Sequence, residues 1–349
     1  MRIIPKKHSK QCPYRIPLHI FGSKSKTMAV SLSLNFAPIK TLHRESYPAI
    51  SPLEPENNQA GKTVLVTGGA GGIGFAIATA FVQASSSHVI IVGRRQGFLQ
   101  DGVKRLEAEA RTAGTNTKIS GYSSDVSSLE ASEKLWAELK EDGIVVDVLV
   151  LNAVALGPGG ALVEANLEAV WKAYEVNVRS LLDHTQRFYN QVGKRQKYLV
   201  SVSSSMVHNL DNENSFLSAY GATKTAGQVL FQQIARDVDP ARLQMISFHP
   251  GAIYSDGARE GGVTKDMIDV WDDGMFCFSR SWINEGVEAN LATAALPGNF
   301  AVWAATPAAK FLHGRFLAAW WDVNELKHDA LQEKLNSEWH LLRVGVKGL

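Results

Sequence analysis

From Lys62 onward, short runs of apolar and β-branched residues alternate with longer amphipathic stretches. The runs Thr63 to Val66, His88 to Val92, Lys118 to Tyr122, Val145 to Leu151, Tyr198 to Val202, Gln244 to Phe248 and Arg315 to Ala319 predict strands, with helical patterns between most of them. Alternation of this kind implies a parallel sheet covered by helices on both faces, with ligands at the carboxyl ends of the strands. The expected fold is α/β: a Rossmann-type, doubly wound parallel sheet of about seven strands in a single domain.

The same pattern divides the chain. Residues 1–27 form a basic tail, residues 28–60 an extended arm with Pro38, Pro48, Pro52 and Pro55 that lies on the surface, and residues 61–325 the sheet domain. Residues 326–349 are a C-terminal extension. The longest uncharged stretch, Ala289 to Ala309, is interrupted by Asn290, Pro297, Gly298, Asn299 and Pro307. It reads as a buried helix and a turn, not as a membrane span.

Composition is that of an ordinary globular protein, 45% hydrophobic and 20% charged. The formal charge of +2 conceals an uneven distribution, because residues 1–27 carry seven Lys or Arg and no acid. The body is therefore mildly acidic and offers no basic face for nucleic acid. The tail has the acid-free character of a mitochondrial presequence, but Pro5, Pro13 and Pro17 spoil the helix such a segment forms; a start at Met28 is the alternative. With only Cys12 and Cys277, a reducing compartment is expected. That compartment is cytoplasmic, or mitochondrial if residues 1–27 act as a presequence.

Between the first strand and the first helix lies Thr67-Gly-Gly-Ala-Gly-Gly-Ile-Gly74. Glycines there permit positive φ and close approach of backbone to a pyrophosphate, and the N–H groups of the helix start hold the anion. Gly69, Gly71 and Gly74 fit one dinucleotide register; Gly68, Gly72 and Gly74 fit another, and the local sequence does not choose. The second strand ends in Gly93, followed by Arg94 and Arg95 where an NAD enzyme carries a carboxylate. A cation there pairs with a 2′-phosphate, which favours NADP(H) over NAD(H); a solvated arginine pair is the plainer reading.

A second group of residues suits proton transfer. Tyr220 and Lys224 are four residues apart at the start of a helical pattern, hence on one face. A nearby ammonium favours phenolate. Upstream, a strand ends in Ser203, Ser204 and Ser205, whose hydroxyls suit a developing alkoxide.

Taken together, these stretches resemble the short-chain dehydrogenase/reductase family of the classical type, over about residues 60 to 325. Thr67-Gly68-x-x-x-Gly72-Ile73-Gly74 matches the family's cofactor turn. Asp125-Val126 matches the pair whose Asp contacts adenine, and Asn152 falls in the motif after the fourth strand, where Val154 stands in place of glycine. Asn177 sits at the helical catalytic Asn, Pro250-Gly251 at the turn after the sixth strand, and Ser255 where Thr is usual.

The resemblance implies Tyr220 as general acid/base, Lys224 as the group that lowers its pKa and holds the nicotinamide ribose, and Asn177 as the holder of a water leading to solvent. Ser204, aligned with the family's catalytic serine, orients the carbonyl oxygen, with Ser203 and Ser205 as alternatives. Ser204 precedes Tyr220 by sixteen positions rather than the family's thirteen or so. The C-terminal stretch and the N-terminal arm look like a fungal subgroup associated with secondary metabolism.

The expected activity is NADP(H)-dependent interconversion of a small-molecule ketone or aldehyde and an alcohol; a catalytically silent NADP-binding sensor or scaffold is the alternative. Residues 254 to 285 fall where the family has its substrate lid, with Trp271, Met275, Phe276, Phe278 and Trp282 as pocket-lining or anchoring aromatics and apolars. His184, His208 and His249 lack metal-ligand spacing, and no metal is expected. A homodimer or homotetramer is expected through the helices of Asn177 and Tyr220, with Ala219, Gly221, Ala222, Ala226 and Gly227 permitting close approach.

Overall fold

The computed structural model of the chain describes residues 38–193, 195–208, 217–251, 253 and 289–345, with backbone alone at 289–293. Ser255, the lid segment with its aromatics, Cys277 and residues 1–37 lie outside the described residues.

All seven predicted strands form, as β1 (Thr63–Thr67), β2 (His88–Gly93), β3 (Lys118–Ser123), β4 (Val148–Leu151), β5 (Lys197–Val202), β6 (Leu243–His249) and β7 (Phe316–Ala318). They make one parallel sheet in the order β3-β2-β1-β4-β5-β6-β7. β4 starts later than its apolar run suggests. The Asp147 amide already bonds the Thr63 carbonyl at 2.8 Å, its carboxylate accepts from the Thr63 amide at 2.9 Å, and the Val146 amide is taken by Gln191.

Period-two alternation sends the strand residues to two cores. Val64, Val66, Ile91 and Val200 face α1 (Gly72–Gln83), α2 (Gln96–Thr112) and α7 (Ala289–Ala304). Leu65, Ile90, Leu149 and Leu199 face α3 (Leu129–Glu141), α5 (Ser180–Tyr189) and α6 (Ser218–Asp237). Burial of both strand faces explains why the runs are nearly continuous in Val, Ile and Leu. The edge strand β3 is the exception, with Lys118, Gly121 and Ser123 open to solvent.

The uncharged stretch folds as the buried helix α7, followed by a 3-10 helix over Pro307–Leu312. Gly298 lets α7 lie against α1, since a Cβ there would stand 2.7 Å from the Ala76 carbonyl oxygen. Among the described residues no helix is long and apolar enough to cross a membrane.

The described part of the N-terminal segment turns through 3-10 helices at Pro48–Ile50 and Pro55–Asn57 and enters the core, instead of running extended over the surface. Ile39, Tyr47 and Ile50 are buried with Trp321 and Val323. Leu42 bridges Trp321 antiparallel, the Tyr47 hydroxyl donates to the Trp321 carbonyl at 2.9 Å, and His43 pairs with Asp322 at 2.7 Å. Residues beyond 325 are equally integral. Leu331 and Leu335 are buried, and the Arg315 guanidinium donates to the carbonyls of Leu335 and Leu341.

Candidate active site

The sheet order reverses direction between β1 and β4, so a crevice opens beyond their carboxyl ends. Thr67 and Asn152 line it and hold the two strands together. The Thr67 hydroxyl donates to the Val150 carbonyl at 3.2 Å and accepts from the amides of Asn152 and Ala153 at 2.9 and 3.1 Å. Asn152 answers with its side-chain amide, donating to the carbonyls of Thr67 and Gly68 at 3.0 and 3.3 Å.

The glycine turn follows directly. Gly68 and Gly72 have φ of +66° and +53°, which selects the Thr-Gly-x-x-x-Gly-x-Gly register. Gly74 is required for space: a Cβ would stand 2.2 Å from the Gly68 carbonyl oxygen and 2.5 Å from Asn152 Nδ2. Ile73 packs on the core, and α1 begins at Gly72, so the free N–H groups of its first turn point into the crevice. The turn suits a diphosphate, because glycines at 68, 69, 71, 72 and 74 carry no side chain of their own over the backbone donors.

At the end of β2, Arg94 is 68% exposed and its guanidinium lies 3.9 Å from the Asp125 carboxylate. Burial raises the Asp125 pKa, but the Ser127 hydroxyl and amide and the charges of Arg94 and Lys172 outweigh it and hold the carboxyl below its usual range. Val126 packs on the α3 side of the core, and Val154 stands exposed on the loop after β4. On the far side of the crevice, Pro250 is buried and Gly251 has φ of +100°.

The second group of residues converges beside this cradle. Ser204 caps a 3-10 helix over Ser205–Val207, its oxygen accepting from the Met206 amide at 3.3 Å. Its own hydrogen is then available to Tyr220, on whose phenol the Ser204 hydroxyl acts to favour the phenolate. Of the three serines it is Ser204 that acts on Tyr220, while the Ser203 amide is tied to the Phe248 carbonyl at 2.7 Å. Burial pushes the Tyr220 phenol up to about 12, against the lowering effect of the Ser204 hydroxyl. Lys224, one helical turn on, is pushed by burial down to about 8, and its Nζ donates to the Val202 carbonyl at 2.9 Å.

Asn177 lies in a π-helical turn, Glu175–Arg179, between α4 (Leu167–Tyr174) and α5. Its side chain is engaged on both ends. Oδ1 accepts from the Ala155 amide at 2.9 Å, and Nδ2 donates to the Ala155 carbonyl at 2.7 Å and to the Thr223 hydroxyl at 2.8 Å. The side chain therefore clamps the loop after β4 to α6. Thr223, which passes its own hydrogen to the Tyr220 carbonyl at 2.8 Å, was not foreseen; its place next to Lys224 is the only signal the sequence carries.

Three of the small residues expected to serve a partner subunit serve this chain instead. Ala219 is fully buried, Gly221 faces Met206, and Gly227 faces the Asn177 carbonyl, 3.0 Å from where a Cβ would stand.

The parallel, doubly wound sheet and the glycine turn at its reversal point define an α/β protein of the dinucleotide-binding class. Sequence comparison narrows the class, since residues 62–265 match the short chain dehydrogenase profile, and the chain belongs to that family. It is 31% identical over 312 residues to the short chain dehydrogenase/reductase AacuD of Aspergillus aculeatus, covering 88% of this chain and 96% of that protein. It is equally 31% identical to a short chain dehydrogenase/reductase of Claviceps purpurea, covering 88% and 94%. Among solved structures, 3-oxoacyl (acyl-carrier-protein) reductase of Agrobacterium tumefaciens with NADP bound superposes with a TM-score of 0.60, at 25% identity over 77% of this chain and 97% of that one.

Proposed function

We propose that the protein is an NADP(H)-dependent oxidoreductase that interconverts a ketone or aldehyde and an alcohol, with Tyr220 as general acid/base. The observation that carries this reading is the buried Tyr220 phenol, which the Ser204 hydroxyl acts on to favour phenolate and whose ring centroid lies 5.8 Å from Lys224 Nζ, on the helix that packs by the carboxyl end of β5. Thr67, Gly68, Gly72, Ile73, Gly74 and Asn152 would hold the diphosphate end of NADP(H), Asp125 and Val126 the adenine, and Arg94 the 2′-phosphate. Tyr220, Lys224, Pro250 and Gly251 would surround the nicotinamide end. When bound, NADPH supplies the hydride.

The chain's own residues supply the proton and the orientation. Tyr220, pushed up to about 12, keeps its proton at neutral pH, which is the state that carbonyl reduction requires. The Ser204 hydroxyl would turn its hydrogen to the substrate oxygen and align it. Asn177 holds Ala155 and Thr223, and so fixes the loop after β4 against the helix of Tyr220. One observation favours a silent NADP-binding protein: Lys224 donates to Val202 and not to Tyr220.

The test is fluorescence titration with NADPH and NADH, followed by a panel of ketones and aldehydes. Tighter NADPH binding with turnover that is lost in Tyr220→Phe is the expected result. Binding without turnover on any carbonyl favours the silent protein, and a Tyr220→Phe variant with near-normal rates ends the assignment. Sedimentation of the full chain tests the proposed homodimer or homotetramer.

A further inference from the structure

β6 ends at His249, directly before Pro250 and Gly251. Along this strand Ile246 and Phe248 enter the core under α1 and α7, whereas Leu243 and Met245 enter the core under α6. Alternation therefore puts His249 on the α6 side, with Tyr220 and Lys224. The register pairs Phe248 with Val202, whose carbonyl holds the Lys224 ammonium, so His249 is one residue past that pair.

Nδ1 of His249 is shut off from solvent and has no hydrogen-bond partner among the described residues. A buried polar nitrogen left unbonded is costly and calls for an explanation. The ring stands edge-on to Trp320, with centroids 5.1 Å apart. Burial above all, then the charges of His208 and Lys224, hold the imidazole down to about 3. It is thus neutral across the working pH range, able to accept a hydrogen bond. Lys224 has three N–H donors, and the described bond to Val202 uses one.

We infer that His249 is a positioning residue: its neutral Nδ1 accepts from the Lys224 ammonium through one water, and so keeps Lys224 charged at the reacting end of the site. The inference rests on the assignment of Tyr220 and Lys224 as the acid/base pair. The groups that act on Lys224 and His249 are Tyr220 on α6, His208 after the 3-10 helix and the Trp320 ring; no carboxylate among the described residues pairs with either.

The test compares the full-length wild type with His249→Leu and with His249→Asn, whose amide oxygen falls near the position of Nδ1. The Lys224 Nζ titration is followed by nitrogen-15 NMR, and the alkaline limb of kcat is followed by steady-state kinetics. Loss of the acceptor is expected to lower the Nζ titration by about one pH unit in His249→Leu, with recovery in His249→Asn. The alkaline limb of kcat moves with it while KM stays unchanged.

A His249→Leu protein whose Nζ titration and kcat limb match the wild type overturns the inference. If that variant does not fold, the wild-type ring decides: an unprotonated Nδ1 supports the bond, and a protonated Nδ1 overturns it. A shifted Nζ titration in a protein that turns over no carbonyl sinks the oxidoreductase reading and leaves the His249–Lys224 bond standing.

Discussion

Nζ of Lys224 donates to the Val202 carbonyl at 2.9 Å, joining α6 to the end of β5. Burial brings this lysine from 10.5 down to about 8. The folded chain therefore binds fewer protons than the unfolded chain between these values, and this group's contribution to stability rises with pH across that window. The ammonium is retained at a cost to the fold. Lys224→Met is expected to lose turnover by about 100-fold or more, yet to melt no lower than the wild type. A thermal scan showing a drop of more than about 4 °C would assign Lys224 a structural role instead.

The closest approach in the glycine turn involves backbone, which cannot yield. In Gly74→Ala the new methyl would meet the Gly68 carbonyl oxygen and Asn152 Nδ2, both fixed by β1 and β4. Denaturant unfolding should show a loss of about 1–3 kcal/mol, accompanied by loss of NADPH binding. Gly97→Ala, with nothing within 4 Å of the added Cβ, is the control and should be neutral or slightly stabilising.

Arg94 is largely exposed, and its contact with Asp125 at 3.9 Å contributes little to the fold. Arg94→Ala should unfold at the same denaturant concentration as the wild type. Its preference for NADPH over NADH should fall by about tenfold, one lost charge-assisted bond. Unchanged discrimination would remove Arg94 from the 2′-phosphate site.

His184 accepts a hydrogen bond from the Trp136 indole at 3.0 Å, and burial pushes it from 6.5 down to about 4. Below the unfolded value the unfolded chain takes up a proton that the folded chain refuses, so stability falls as pH drops from 6.5 towards 4. This one group accounts for about 3 kcal/mol of acid lability. Unfolding of His184→Gln followed across this range should show a shallower decline; an identical slope would place the acid sensitivity elsewhere, as at His88.

Much of the architecture was legible because strand and turn signals are local. Val64, Val66 and Leu65 announce β1 through branching and apolarity, and the glycines from Gly68 to Gly74 announce a backbone that a Cβ would block. The N-terminal arm was misplaced for the opposite reason. Its prolines describe an extended or turning chain, but nothing near Tyr47 records that Trp321 and Val323 wait to bond its hydroxyl. Asn177 likewise carried a motif position, while its partners Ala155 and Thr223 are 22 and 46 residues away.

By itself, the sequence determined the seven strands, the glycine cradle and the one-turn spacing of Tyr220 and Lys224. Each depends on residues within a few positions of one another, where backbone geometry and side-chain period decide the outcome. Only the tertiary structure decided that Ser204 among three serines acts on Tyr220, that Lys224 rests on Val202, that His249 stands against Trp320, and that residues 39–50 are stitched to 320–325. Those contacts depend on strand register and on the packing of distant segments, which no local preference encodes.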